Sequence, residues 1–410
     1  MSALDRFLKY VKIDTQSSDT THTTPSTEKQ KKLGELLVTE LKELGLEDAE
    51  MDKWGNVYAH LKGEKNADRI GLNAHMDTAL ESSGKGVKPK KVLNWNGADI
   101  QLNENMVLSV EQFPNLKQHI GKDLIVTDGK TLLGADDKAG IAIIMGVLEY
   151  FKNNKSIKHH PISVAFTVDE EIGEGSDHFD LKKMKADYAY TVDGAEINHI
   201  DYKNFNAQSV NITFEGVAVH PGEGKNALIN AVLLMHEFIS TLPEKETPYD
   251  ANYDEGYWHI TGISGDSVKC ECSMILREFE KEKLEARDEY LHMMRDKILE
   301  KYPKAKITIQ IADQYQNMAE YIKNDPRPLF KAIDAIRNVG LEPESSLIRG
   351  GTDGATFSKM GLVTPNLGTG SANHHGPFEY LVIQDFLKEI DIIVDILTIK
   401  PEKKKTDEPR

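Results

Sequence analysis

Apolar residues recur along the chain with two periods, and the switches between them mark out the elements. Leu33, Leu36, Leu37, Leu41 and Leu44 share one face at helical spacing, which predicts an amphipathic helix over residues 28–44. Thr27 and Gln30 stand in capping-box register at its start, and Gly45 marks its end. Short apolar runs at 57–61, 70–74 and 124–127 read as strands, 139–151 as a buried helix, and 162–168 and 189–192 as further strands. This alternation predicts an α/β domain with a mostly parallel sheet. From residue 205 the order becomes strand (209–214), helix (226–241), strand (257–263), strand (268–279), helix (280–301), strand (306–312). That is βαββαβ, the ferredoxin-like plan, and it reads as an insertion. After it the chain returns to helix (329–339), short strand (364–367) and long helix (383–398). The expected domains are therefore 1–204 and 321–399 for the first unit, 205–320 for the insertion, and a disordered tail over 400–410.

Composition narrows the class. Fifty Lys and Arg against 66 Asp and Glu leave a formal charge of −16 over 410 residues, the wrong sign for general nucleic-acid binding. The longest uncharged apolar stretch, 139–148, is about half a bilayer span, so no membrane helix is expected. The charged N-terminal stretch lacks the apolar block of a secretory signal, and two cysteines, Cys270 and Cys272, suit a reducing cytoplasm. Those two, at i and i+2 on one strand, lack the second pair a structural zinc site requires and read as packing residues.

Five short stretches set metal-ligand side chains at the ends of predicted strands: NAHMDT (73–78), GADDKAG (134–140), VDEEIGEG (168–175), TVDGAE (191–196) and ANHHGP (372–377). In an open α/β sheet, ligands bind where the strand-to-helix loops converge. His75 and Asp77, two apart, point to one face, and such an Asp can hold the far ring nitrogen of a ligating His. Asp136 and Asp137 open an apolar helix, where capping explains one carboxylate but not two. Glu170 and Glu171 are adjacent and repel unless a cation or proton separates them; one ligating and one free as a base would use both. Asp193 ends a strand before Gly194, and His374 and His375 lie in a loop with no periodicity. Nitrogen and carboxylate donors without thiolate suit zinc, cobalt or manganese, and a carboxylate-rich set suits a two-metal hydrolytic site.

The order and wording of HMDT, TDGKTLLGADDKAG, DEEIG, YTVDG, VHPG, LREF, IRGGTDGA and HHG resemble the peptidase T family, tripeptide aminopeptidases among the di-zinc exopeptidases. The resemblance spans nearly the whole chain. It implies a zinc held by His75 and Asp193, a second by Glu171 and His375, and Asp136 as the bridge. It implies Asp77 as the orienting partner of His75, Glu170 as general base, and a cis peptide between Asp136 and Asp137. The insertion becomes the family's lid, carrying His220 for the oxyanion and Arg277, with Arg349, for substrate termini or carbonyls. Where relatives often have an aromatic residue, this chain has His374, which stays an alternative to His375 as ligand. The substrate implied is a small peptide, and a homodimer is possible. Two rivals use the same residues: a dipeptidase, carboxypeptidase or N-acyl amino acid deacylase on this scaffold, or a metal-dependent binding protein without catalysis. A mere binder has no use for a free base beside a ligand.

Overall fold

The computed structural model describes residues 1–400. The chain divides into two compact units, one formed by Met1–Tyr202, Tyr321–Ser346 and the chain from Thr352 onward, the other by Lys203–Glu320 with Leu347–Gly351.

In the first unit a seven-stranded sheet runs in the order Glu50–Met51, Val57–Leu61, Ile162–Thr167, Ile70–His75, Tyr188–Gly194, Asn366–Gly368, Ile200–Asp201. The four strands from Ile162–Thr167 to Asn366–Gly368 are mutually parallel, and the pairs toward both edges are antiparallel. Ile70–His75 and Ile162–Thr167 are buried at every position, as expected of strands covered on both faces. The helix Ala135–Asn153 packs on Ile70–His75 and Tyr188–Gly194, and Ala3–Tyr10 and Ile383–Leu397 pack on that helix. Its residues from Ala139 to Leu148 are all buried, which explains an apolar pattern that runs round the whole helix. Gly140 is needed there, because a Cβ would lie 1.9 Å from the carbonyl oxygen of Val192. The helix thus seats against the strand just before Asp193.

Leu124–Val126 belongs to a separate antiparallel sheet with Lys90–Val92, Tyr380–Val382 and Ser371–Ala372. The amphipathic helix spans Gln30–Glu43, but the expected capping box does not form. Thr27 donates its hydroxyl to the Gln16 carbonyl, and Gln30 turns inward to donate to Asp169 at 2.5 Å while accepting the Asp169 N–H. Satisfying a buried carboxylate outweighs a solvent-facing cap.

The second unit has the βαββαβ order: Asn206–Glu215, Ala231–Ile239, Tyr257–Gly265, Lys269–Glu278, Lys281–Lys301, Lys306–Tyr315. Its antiparallel sheet places the first and third strands of the motif at the centre. Buried Cys270 and Cys272 are free thiols within its core, beside Met235, Phe238 and Met274. The first helix is shorter than its apolar pattern predicts, because Val217 and Ile229 pair as a β-bridge and Asn230 caps the helix from Ala231. The boundary also differs from the sequence expectation, since Lys203–Asn204 pairs with Leu347–Ile348 and draws 347–351 into this unit. Among the described residues no helix is long and apolar enough to cross a membrane. The tail expected over 400–410 lies outside the described residues except Lys400, which pairs with Asp395 at 2.7 Å.

Candidate metal centre

The centre gathers at the carboxyl ends of the parallel strands of the first unit. His75 is the last residue of Ile70–His75, Asp193 lies near the end of Tyr188–Gly194, and Glu170 and Glu171 follow Ile162–Thr167 after a left-handed turn at Asp169. That turn is fixed by buried Asp169, which accepts from the Ser26 amide at 2.7 Å, the Ser26 hydroxyl at 2.5 Å and Gln30.

Asp136 stands in the middle. Its Oδ1 is 2.8 Å from His75 Nε2, and its Oδ2 is 3.4 Å from His375 Nε2. Asp193 Oδ1 is 3.5 Å from His75 Nε2, and Glu171 Oε2 is 3.1 Å from His375 Nε2. Glu170 is set back, with Oε2 4.0 Å from His75 Nε2. His374 turns aside: its Nε2 is 2.9 Å from the Ser371 hydroxyl and its Nδ1 3.6 Å from Asp136 Oδ2. The peptide between Asp136 and Asp137 is cis.

Further side chains support the centre, and of these Glu81, Asp353 and Glu379 lie outside the residues singled out from sequence. Asp137 accepts from the His75 amide at 3.1 Å and the Gly140 amide at 3.2 Å, so it caps the helix and ties it to the strand while Asp136 faces the histidines. Glu81 lies 3.5 Å from His375 Nδ1. Glu379 accepts the amides of Leu133, Gly134 and Asp136. Asp353, in the IRGGTDGA stretch, accepts from the Thr167 hydroxyl at 2.5 Å and from Asn73 at 3.2 Å. Its burial raises its carboxyl to about 6. Nothing in the local spacing distinguishes Glu81, Asp353 and Glu379 from surface acids; an acid inside an otherwise apolar or glycine-rich stretch was the one signal available.

The donor chemistry fits divalent cations. His75, Asp136 and Glu171 form one group whose donor atoms lie within 4.8 Å of one another, and His75, Asp137 and Asp193 form another. Glu171 Oε1 is buried with no hydrogen-bond partner among the described residues, an orphan that a cation would satisfy. Burial, then the charge of Asp136, pushes Glu171 up to about 8, and burial with Asp193, Asp353 and Glu171 raises Glu170 well above the carboxylate range. Burial works against the charge of Asp136 too, yet the His375 and His75 rings hold it well below the usual range. Contacts to Asp136 and Glu171 raise His375 to about 11. A cluster that otherwise keeps its carboxylates together only by taking up protons is suited to bound positive charge.

His220, Arg277 and Arg349 belong to the second unit. His220 is exposed, and its Nδ1 accepts from the Gly222 amide at 3.2 Å, so the neutral ring carries its proton on Nε2. The Arg277 guanidinium stacks 5.3 Å from the Tyr315 ring centre and donates to the Gln208 and Leu276 carbonyls. That of Arg349 lies 5.2 to 5.7 Å from the rings of Phe205, Tyr253 and Tyr257, and donates to the Asn252 carbonyl at 2.9 Å and to that of Tyr253.

Residues 126–398 match the family described as Peptidase family M20/M25/M40. The chain is 45% identical over 401 residues to a protein named Peptidase T from Clostridium perfringens, covering 97% of this chain and 99% of that protein. A Peptidase T from Halothermothrix orenii is 45% identical over 404 residues, covering 98% and 99%. Among solved structures, the aminopeptidase PepT from Bacillus cereus superposes with a TM-score of 0.76 at 21% identity over 96% of this chain and 97% of that one, which shows a common fold. With the family match over more than half its length and near-half identity from end to end, the chain belongs to peptidase family M20/M25/M40 and groups there with the peptidase T proteins.

Proposed function

We propose that the chain is a metal-dependent aminopeptidase that removes the N-terminal residue of tripeptides, using two zinc ions held by His75 and Asp193 on one side, Glu171 and His375 on the other, and Asp136 between them. The observation that carries this reading is the double-facing carboxylate of Asp136, one oxygen toward His75 and the other toward His375. Cobalt and manganese suit the same nitrogen and carboxylate donors. Bound there, two such cations lower the pKa of a water and polarise the scissile carbonyl.

The chain's own residues do the rest. Glu170, set back from the donor cluster, takes the proton of the attacking water and delivers it to the leaving amine. His220 donates Nε2–H to the developing oxyanion, and Arg277 and Arg349 take the carboxylate or carbonyls of the peptide. No acyl-enzyme is part of this reading: no Ser or Cys stands in a nucleophile motif, and Ser371, beside His374, is buried and shares its hydroxyl with Thr369. A small peptide is the substrate partner, and the homodimer implied by the resemblance is part of the proposal.

Amino acid analysis of products from free, N-blocked and C-amidated tripeptides, with zinc present, tests the reading. Release of only the N-terminal residue, lost on N-blocking, supports it. Release of the C-terminal residue indicates a carboxypeptidase, cleavage confined to dipeptides a dipeptidase, and activity on the N-blocked substrate alone a deacylase. No turnover in a metal-replete protein points to a binding protein.

A further inference from the structure

Asp136 can bridge only if the turn that carries it is held, and its own helix does not supply the hold. Gly134, with φ +77°, offers no side chain, and Asp137 gives its carboxylate to the Gly140 and His75 amides, so the amides of the turn itself, those of Leu133, Gly134 and Asp136, need an acceptor from elsewhere. Glu379 provides it from some 240 residues away in sequence. The residue is 1% exposed. Oε2 accepts the Leu133 amide at 2.7 Å and the Gly134 amide at 2.8 Å, and Oε1 accepts the Asp136 amide at 3.0 Å. The Glu379 amide itself donates to the Gly376 carbonyl at 3.2 Å, next to His375. One carboxylate thereby joins the loop of the bridging ligand to the loop of a terminal ligand.

We propose that Glu379 is a positioning residue for the metal pair: through three amide hydrogen bonds it sets the turn from which Asp136 presents opposite oxygens to His75 and His375. The inference rests on the two-metal reading above. Charge and shape both matter. A carboxylate accepts at both oxygens, whereas a glutamine amide turns one end into a donor and leaves the Asp136 N–H facing another N–H. The hydrogen bonds are charge-assisted, which makes them strong enough to fix a turn inside a repulsive acidic cluster.

The test is a competition titration of zinc and cobalt against a chromophoric chelator, on wild type and Glu379→Gln, with the cobalt absorption spectrum recorded at each step. Wild type should take up two equivalents. The variant should bind about 10- to 100-fold more weakly, the usual cost of losing an outer-shell support, with an altered cobalt spectrum. Saturating metal should restore most of kcat and leave KM unchanged, because no substrate contact is removed. A role in packing alone lowers the melting temperature while the folded fraction keeps wild-type metal affinity and spectrum, and that result overturns the proposal. Should Glu379→Gln fail to fold, Glu379→Asp keeps the charge with a shorter reach; wild-type affinity and spectrum in that variant overturn it equally. A wild type that binds fewer than two ions removes the two-metal reading itself.

Discussion

Asp77 Oδ1 accepts the backbone N–H of Glu170 at 3.1 Å. The other oxygen takes the Glu171 N–H at 3.2 Å, while Oδ1 also lies 3.3 Å from His75 Nδ1. A single buried carboxylate therefore spaces the two glutamates as well as facing the histidine. Asp77→Asn replaces one acceptor with a donor that meets an amide N–H. We expect metal affinity and kcat both to fall about 10- to 100-fold, measured by chelator competition and steady-state kinetics. Loss of kcat with metal affinity intact would limit Asp77 to placing Glu170.

Glu170→Gln should retain both metals and the fold while kcat drops by about 10²- to 10⁴-fold, the range for removing a general acid–base group. Metal analysis alongside kinetics checks this. Near-wild-type turnover in the metal-replete variant would remove Glu170 from proton transfer.

Exhaustive chelation should abolish activity and lower the melting temperature, and added zinc or cobalt should restore both. The metal-free protein should also lose stability as pH rises. Glu171, raised to about 8, stabilises the folded state when protonated, a contribution present below about pH 4.5 and lost as pH climbs to 8. His375, raised to about 11, contributes below about pH 6.5 and loses that contribution at higher pH. Asp136, held low, opposes them only below about pH 4. A flat or rising melting temperature between pH 5 and 8 without metal would contradict the picture.

His220→Ala should cut kcat by about 100-fold or more, as for one lost oxyanion donor. Metal content and melting temperature should stay near wild type, since the ring is exposed and accepts from the Gly222 amide two residues on. Unchanged kcat would leave metal as the sole electrophile.

Glu389 sits in Ile383–Leu397 with no exposed surface and, among the described residues, no hydrogen-bond partner for either oxygen. Burial raises its carboxyl well above the usual range, so the folded chain keeps a proton that the unfolded chain releases above about pH 4.5. Stability present below that pH is lost as pH rises. Glu389→Met should therefore raise the melting temperature, by about 2 °C or more at pH 8 and less at pH 5, by calorimetry. A lower melting temperature at both pH values would show that the carboxyl has a partner role.

What could be read from sequence was whatever depends on local pattern. The strands 162–168 and 189–192, the buried helix after Asp137 and the βαββαβ order follow from short-range periodicity, because an element's buried face repeats with its own geometry. The candidate donors stood out because they sit in short polar stretches beside apolar runs: His75 and Asp193 at strand ends, Glu171 just after a strand, Asp136 at the opening of a helix and His375 in a loop. Tertiary structure decided the rest. Thr27 and Gln30 match a capping box, yet buried Asp169, distant in sequence, claims Gln30. Leu124–Val126 reads like any apolar strand, and only its pairing with Tyr380–Val382 assigns it to a separate sheet. Asp136 and Asp137 are the same residue type side by side, and only the fold gives one to the histidines and the other to backbone amides. Glu379 has no local pattern at all: hydrogen bonding at a few ångströms depends on which segments the core brings together, and sequence spacing carries no record of that.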